Sequence, residues 1–341
     1  MSDRSVRWVI IGCGRVADRR AAPAIRAASH ALLHGFCSRD VTRAAEFAGR
    51  HEAPRAYASL DEVLADPDVA AVYLATPNHL HAEQAIRLLR GGRHVLTDKP
   101  MARTAAEAAE MVTAAEQSGR ILGVVQPARF HPAHQHALRL MAGGRMGLLS
   151  IARAQLGIWY PPSDNWRLDP KRSGGGAAMD LAPHALDLLM QIGGPVARVS
   201  ALSRRLRFEY EVEDFCHAQV EFAAGGIGLI ETAYCVRTYG GRLEVYGSDG
   251  TFTSEGSFQA AQTCRTSVRL GDAPAPIETQ EPGFADGFIA AINDFTAAVR
   301  EGRQPLVTAR DGLAVMHVIE AIYASARTGG AVTPVAGKAS D

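Results

Sequence analysis

Apolar and polar positions change rhythm a little over a third of the way along the chain. Residues 6–11, 31–37, 69–75, 93–97 and 121–126 are short, nearly continuous apolar runs, the pattern of strands buried on both faces. Between them lie alanine-rich stretches with helical spacing, among them 82–89 and 105–117. Gly91-Gly92 ends the first of these and Ser118-Gly119 the second. Strand–helix alternation at this interval predicts a doubly wound parallel sheet that ends near Gln126.

Beyond that point, 148–158, 196–207, 215–222, 227–237, 242–246 and 251–254 are strand-like and mostly follow one another without helices. Many alternate, as in Ile151-Ala152-Arg153-Ala154-Gln155-Leu156, which suits a largely antiparallel sheet covered on one face. Helices at 177–191, 284–300 and 309–326 are expected to flank it. The expectation is an α/β chain with a doubly wound domain at 1–126. An α+β domain with an open sheet follows at 127–341, and its uncovered face is placed to pair with a second subunit.

Composition narrows this picture. The 341 residues carry 36 Lys+Arg against 36 Asp+Glu, so no bulk positive charge points to nucleic acid. Hydrophobic residues make up 47% of the chain, enough to fill two cores, yet no apolar run is long enough to span a bilayer. The residues before the first strand hold no apolar leader, so no signal peptide is expected. Five scattered cysteines without a CxxC pair read as reduced thiols, and the expected location is the cytoplasm.

The first strand runs into Gly12-Cys13-Gly14-Arg15-Val16-Ala17, a G-x-G-x-x-A turn. Gly12 lets the turn close, Gly14 lets a pyrophosphate approach the backbone, and Ala17 lets the helix pack on the strand. Arg15 and Val16 open that helix, whose N-terminus favours phosphate. The second strand ends Cys37-Ser38-Arg39-Asp40. Ser38 stands where an NAD-binding fold places its ribose-binding acid, and Arg39 follows. A hydroxyl and a guanidinium suit a 2′-phosphate, with Arg15 and Arg43 in support, so NADP is expected ahead of NAD. The alternative leaves Arg39 in solvent and gives Asp40 the ribose.

Thr76-Pro77-Asn78-His79-Leu80-His81 follows an apolar strand and precedes a helix. Thr76 and Pro77 are placed to line the nicotinamide ribose, and Asn78 to cap the helix. His79 and His81 read as polar helix-start residues rather than metal ligands. Asp98-Lys99-Pro100 closes the next strand. Lys99 is placed to hydrogen-bond a substrate hydroxyl and Asp98 a cofactor ribose or Lys99; the alternative is a strand-end ion pair. In Gly174-Gly175-Gly176-Ala177-Ala178-Met179-Asp180-Leu181-Ala182-Pro183-His184, Asp180 and His184 are four apart and share a helix face. A histidine there can move a proton at neutral pH while a carboxylate orients it or the substrate. The alternative is a helix-face polar pair, which is also the reading for Asp187. His131, His134 and His136 are expected on a solvated helix rather than around zinc, and no metal site is expected.

In this order, the G-x-G-x-x-A turn, T-P-N-H-L-H-A-E, the acidic-Lys-Pro turn and G-G-G-x-x-x-D-x-x-x-H resemble the glucose–fructose oxidoreductase/inositol dehydrogenase (Gfo/Idh/MocA) family. The resemblance spans nearly the whole chain and includes Arg129-Phe130-His131-Pro132 and Gly302-Arg303-Gln304-Pro305. It implies a Rossmann domain, an open-sheet α/β domain, and NAD(P)-dependent oxidation or reduction of a secondary carbon in a sugar, cyclitol or dihydrodiol. It makes Lys99, Asp180 and His184 the catalytic set. It places Trp159, Tyr160, Trp166 and Arg167 in a loop bordering the substrate, with Arg129 also in the substrate set; for Trp159 a packed loop is the alternative. Cofactor contacts are expected from Gly12, Gly14, Arg15, Val16, Ser38, Arg39, Thr76, Pro77, Asn78, His81, Asp98 and Lys99. Two departures stand out: Asp98 where glutamate is commoner, and Ser38 in place of an acid. The expected partners are a polyol or sugar-like small molecule and further copies of the chain, as a homodimer or homotetramer through the C-terminal sheet. No nucleic acid or membrane is expected. Two other activities remain open, an NAD(P)-assisted glycoside hydrolase and a non-catalytic NADP(H) sensor.

Overall fold

Six parallel strands form the first sheet: β1 (Val6–Ile11), β2 (Ala31–Cys37), β3 (Arg55–Tyr57), β4 (Ala71–Leu74), β5 (His94–Thr97) and β6 (Leu122–Val124). Their order is β3-β2-β1-β4-β5-β6, the order of a Rossmann fold, reversing between β1 and β4. The computed structural model describes residues 5–237, 241–258, 263–273, 277–282, 286–329 and 333–334. Contacts divide the chain into two compact units, Met1–Gln126 with Phe288–Leu313, and Pro127–Gly287 with Ala314–Asp341.

β1 and β4 are apolar along nearly their whole length and almost wholly buried, as a central parallel strand must be. Trp8, Ile10, Ile25, Phe36 and Tyr73 anchor this core. Ile292, Phe295 and Ala298 join it from the helix Asp286–Glu301, and the rings of Trp8 and Phe295 lie 5.4 Å apart. That helix was expected beside the second sheet. It differs because an amphipathic stripe says only that one face must be buried, not against which sheet. The division of the chain therefore departs from a simple cut at residue 126.

The second unit holds nine strands: β7 (Leu149–Gly157), β8 (Val196–Arg204), β9 (Phe215–Phe222), β10 (Ile227–Ala233), β11 (Arg242–Gly247), β12 (Gly250–Glu255), β13 (Thr263–Leu270), β14 (Ile277–Pro282) and β15 (Thr333–Pro334). Their order is β14-β13-β12-β11-β7-β10-β9-β8-β15. Every pair is antiparallel except β7 with β10. The helix Ala177–Gly193 packs across β7, β9 and β10. β9 shows the consequence: Cys216, Ala218, Val220 and Phe222 are buried, while Phe215, His217, Gln219 and Glu221 alternate with them half-exposed. The α/β class and the open, largely antiparallel second sheet match the sequence pattern. Among the described residues no helix is long and apolar enough to cross a membrane.

Candidate active site

In the first unit three strand ends converge on one turn. Gly12 N donates to Cys37 O at 2.9 Å, and Ala75 N donates to Ile11 O at 2.9 Å. Gly12 sits at φ +101°, and a Cβ there would lie 2.9 Å from Ala75 O. Conformation and crowding both demand glycine. Gly14 is different: a Cβ would meet no protein atom within 4 Å. Nothing in the chain requires glycine there, so what the missing side chain provides is an open approach to the backbone. Arg15 is exposed and Val16 half-buried as the helix begins, and Ala17 is fully buried against the sheet. Residues Ala17–Ala21 form a π-helical turn, a feature frequent at functional sites. These residues fit a dinucleotide.

A cleft of about 600 Å³ is lined by Gly14, Arg15, Asp40, Arg43 and neighbours. Arg43 Nε donates to Cys13 O at 2.8 Å, which pins the guanidinium over the turn. Asp40 caps the helix Val41–Arg50, its Oδ1 accepting from Thr42 N and Arg43 N. Ser38 Oγ accepts from Asp40 N at 3.2 Å, and Arg39 is exposed. The cleft wall thus holds Arg43 and Asp40 where the sequence pointed first to Ser38 and Arg39.

Two loops stand at the ends of β4 and β5. Thr76 Oγ1 donates to Gln84 Oε1 at 2.7 Å. Asn78 is buried inside a short 3₁₀ turn, and the helix His81–Arg90 takes Leu80 as its N-cap with no side-chain cap. The N-cap position therefore falls on Leu80 and not on Asn78, which the turn places two residues earlier. His81 is 1% exposed, with Nδ1 at 3.0 Å from Pro100 O and Nε2 at 2.8 Å from Thr76 O. Burial lowers its pKa. His81 therefore ties the two loops together, rather than standing open as a polar helix-start residue. Asp98 N donates to Leu74 O, and Asp98 Oδ1 accepts from Lys99 N at 2.7 Å. Lys99 is half-buried, and its bond to Pro100 is cis.

In the second unit, the glycine run has a clear cause. Gly174, at φ +86°, ends the short helix Pro170–Ser173. A Cβ on Gly175 would lie 1.9 Å from Tyr323 Oη, and one on Gly176 2.0 Å from Glu213 O. Glu213 carries the load of this contact. Its carboxylate accepts from Gly176 N at 3.0 Å, Ala178 N at 2.9 Å and Tyr323 Oη at 2.9 Å, and its carbonyl accepts from Ala177 N. A carboxylate at a helix N-terminus meets both the orphan N–H groups and the dipole. Burial raises the Glu213 pKa, and those same hydrogen bonds oppose the rise.

The helix so capped is buried from Ala177 to Leu189 except at two positions, Asp180 and His184. Asp180 Oδ2 accepts from Tyr234 Oη at 2.8 Å, and Asp180 Oδ1 lies 3.8 Å from Arg167 Nε. The Arg167 guanidinium lies 4.5 Å from the centre of the Trp166 ring. An acid and an imidazole one turn apart, opening from an apolar helix, can orient a hydroxyl and move its proton.

One family model, described as an oxidoreductase family with an NAD-binding Rossmann fold, matches residues 6–126. A second, described as the C-terminal alpha/beta domain of that oxidoreductase family, matches residues 140–335. The chain belongs to the Gfo/Idh/MocA oxidoreductase family. It is 30% identical over 326 residues to a 1,5-anhydro-D-fructose reductase from Ensifer adhaerens, covering 95% of this chain and 97% of that protein. It is also 30% identical over 332 residues to D-xylose 1-dehydrogenase (NADP(+)) 2 from Haloferax volcanii, covering 95% and 98%. Among solved structures, an aldose-aldose oxidoreductase from Caulobacter crescentus complexed with glycerol superposes with a TM-score of 0.89. It is 29% identical, with 97% of this chain and 100% of that one covered. The Gfo/Idh/MocA chain described here is thus an enzyme, an NAD(P)-dependent oxidoreductase.

Several expected residues of this Gfo/Idh/MocA chain have other work. Arg129, expected at the substrate, is 3% exposed and pairs with Asp187, itself 1% exposed. Asp187 is then not a helix-face charge. His131 and His134 are fully buried, not solvated. His131 Nδ1 accepts from Ala133 N as a helix cap, and His134 Nδ1 donates to Ala128 O at 2.7 Å. Trp159 follows the packed-loop alternative, lying 5.0 Å from the Phe208 ring and 4.0 Å beneath the Arg237 guanidinium. Glu213, Tyr323 and Tyr234 went unrecognised in the sequence. Their partners lie 37, 110 and 54 residues away, beyond any local pattern. Among the described residues one triple of metal-ligand type comes together, His34, Asp66 and Asp68. Tyr57 Oη donates to Asp66 at 2.7 Å and Arg7 pairs with Asp68 at 2.5 Å, so both acids are already neutralised or bonded.

Proposed function

We propose that this oxidoreductase transfers a hydride between a nicotinamide, NADP in preference to NAD, and a secondary carbinol or ketone of a sugar, cyclitol or dihydrodiol. The observation that carries the reading is the opening of Asp180 and His184 alone from the buried stretch Ala177–Leu189. His184 takes the hydroxyl proton on oxidation and returns it on reduction. Lys99 hydrogen-bonds the same oxygen and stabilises its developing charge. Asp180 orients the substrate or the catalytic pair, and Trp166 and Arg167 supply an aromatic plane and a guanidinium for a polyhydroxylated ligand. The nicotinamide, when bound, supplies the hydride chemistry.

For the cofactor, Arg15 and Arg43 in the cleft wall hold the 2′-phosphate, with Ser38 and Arg39 of the loop before Asp40 in support. One relative carries NADP(+) in its name, which supports this preference. A fluorescence titration with NADPH and NADH tests it, followed by a screen of polyols and ketoses with the tighter cofactor. Tighter NADH binding defeats the NADP preference, and binding without hydride exchange across the panel defeats the enzyme reading of the site. We assign the chain to the cytoplasm on its five scattered cysteines, which form no CxxC pair in the sequence. We also assign it to a homodimer or homotetramer built on the half-exposed face of β9 and β10. Light scattering on the eluting protein checks the assembly, and a monomer at micromolar concentration refutes it.

A further inference from the structure

Tyr234 follows directly on β10 and is 0% exposed. A side chain with no exposure touches only protein, so Tyr234 is no substrate contact. It makes three ties. Its hydroxyl donates to Asp180 Oδ2 at 2.8 Å, its N–H donates to Asp214 O at 2.8 Å, and its carbonyl accepts from Tyr160 N at 2.9 Å. The rings of Tyr160 and Tyr234 lie 5.0 Å apart, tilted by 30°. Tyr160 opens the loop that carries Trp166 and Arg167, and Arg167 Nε lies 3.8 Å from the other Asp180 oxygen.

Burial, with the Asp180 charge after it, pushes the Tyr234 pKa well above its ordinary value of 10. The hydroxyl therefore remains a donor throughout the neutral range. An aspartate needs such a donor, because the torsion that turns its carboxylate has a broad well and no rotamer fixes it. A group oriented by one hydrogen bond from a rigid strand end is held before substrate arrives.

We propose that Tyr234 is the positioning residue for Asp180. It fixes the carboxylate through its hydroxyl and, through its carbonyl, fixes the start of the loop that brings Arg167 to the same carboxylate. The inference rests on the catalytic role given to Asp180 above and adds the group through which that role is set. Tyr234 acts through Asp180 and not on substrate.

Tyr234→Phe removes one oxygen and keeps the ring and its packing. It is measured in the full-length enzyme beside Asp180→Asn and the double variant, with the cofactor and substrate that the screen identifies. The expected result is a fall in kcat of about tenfold to a hundredfold for Tyr234→Phe, with cofactor affinity unchanged within about twofold. Asp180→Asn also lowers kcat by removing the carboxylate charge, and the double variant is no slower than Asp180→Asn alone, since Tyr234 acts on the reaction only through the carboxylate that this change has already removed. A crystal structure of Tyr234→Phe should show the Asp180 carboxylate turned while helix Ala177–Gly193 stays in place. Multiplying effects in the double variant, or a Tyr234→Phe enzyme with parental kcat beside an impaired Asp180→Asn, overturns this inference alone. An Asp180→Asn enzyme with parental kcat overturns the catalytic reading of Asp180 and the inference with it.

Discussion

Arg129 and Asp187 meet fork to fork inside the second unit: Arg129 Nε donates to Asp187 Oδ2 at 2.9 Å and a second guanidinium N–H donates to Oδ1, with the residues 3% and 1% exposed. Bidentate geometry makes such a pair strong, and burial makes half of it worse than none. Asp187→Ala should therefore destabilise the protein by about 3–5 kcal/mol, by leaving a buried cation without its partner. Replacing both, as Arg129→Met with Asp187→Leu, should recover most of that loss. Urea unfolding of the three proteins checks this. A double variant as unstable as Asp187→Ala would show that Arg129 contributes something beyond the pair.

Gly14 and Gly176 separate two uses of one residue type. A Cβ on Gly176 would sit 2.0 Å from Glu213 O, so Gly176→Ala must push the helix start off its cap. The expected cost is about 1–3 kcal/mol of stability, with a larger loss of turnover, because Asp180 and His184 ride on that helix. A Cβ on Gly14 meets no protein atom within 4 Å. Gly14→Ala should keep the parental melting temperature and lose dinucleotide affinity. Calorimetry and a cofactor titration on both variants decide it. A destabilised Gly14→Ala would mean the chain itself needs that glycine.

His131 and His134 make the second unit acid-labile. Burial lowers their pKa values from 6.5 to about 4 and about 3. An unfolded chain protonates them near pH 6.5, while the folded chain does not until pH falls much further. Between about pH 6 and pH 4.5 the unfolded state thus binds more protons, and stability falls as pH falls. Each buried histidine contributes a slope of up to about 1.4 kcal/mol per pH unit. His134→Gln should flatten the curve by about that amount over this window. Denaturant unfolding at several pH values is the measurement, and an unchanged slope refutes the assignment.

The residues that could be read in advance are those whose cause is local. β1, β2 and β9 fall at the expected bounds because each is bracketed by turns and patterned over its whole length. That Asp180 and His184 share one helix face was legible from their four-residue spacing. β3 escaped because only three residues form it, one of them an exposed arginine. β13 escaped because its buried Cys264, Thr266 and Val268 alternate with Arg265 and Arg269, too weakly apolar to stand out. Arg129, His131 and His134 looked like surface chemistry because burial of a polar group depends on partners that local pattern does not name. Glu213 is the sharpest case. It explains why Gly176 stands at the start of the helix, yet it lies on the far side of β8 in the chain.

Lys99 and His184 carry the last expectation. Each is assigned to the substrate oxygen, one stabilising charge and the other moving the proton. A general acid or base in this position contributes about two to four orders of magnitude in rate. Lys99→Ala and His184→Ala should each lower kcat within that range, while NADP(H) affinity stays near parental, because neither removes the Gly12–Ala17 turn. Lys99→Arg should restore little, since a planar guanidinium cannot take the place of a compact ammonium at a single oxygen. With both side chains assigned to one oxygen, the double variant should fall far short of the product of the single effects. Steady-state kinetics with a confirmed substrate, beside a cofactor titration, provide the check. A Lys99→Ala enzyme that turns over at the parental rate would remove Lys99 from the catalytic set.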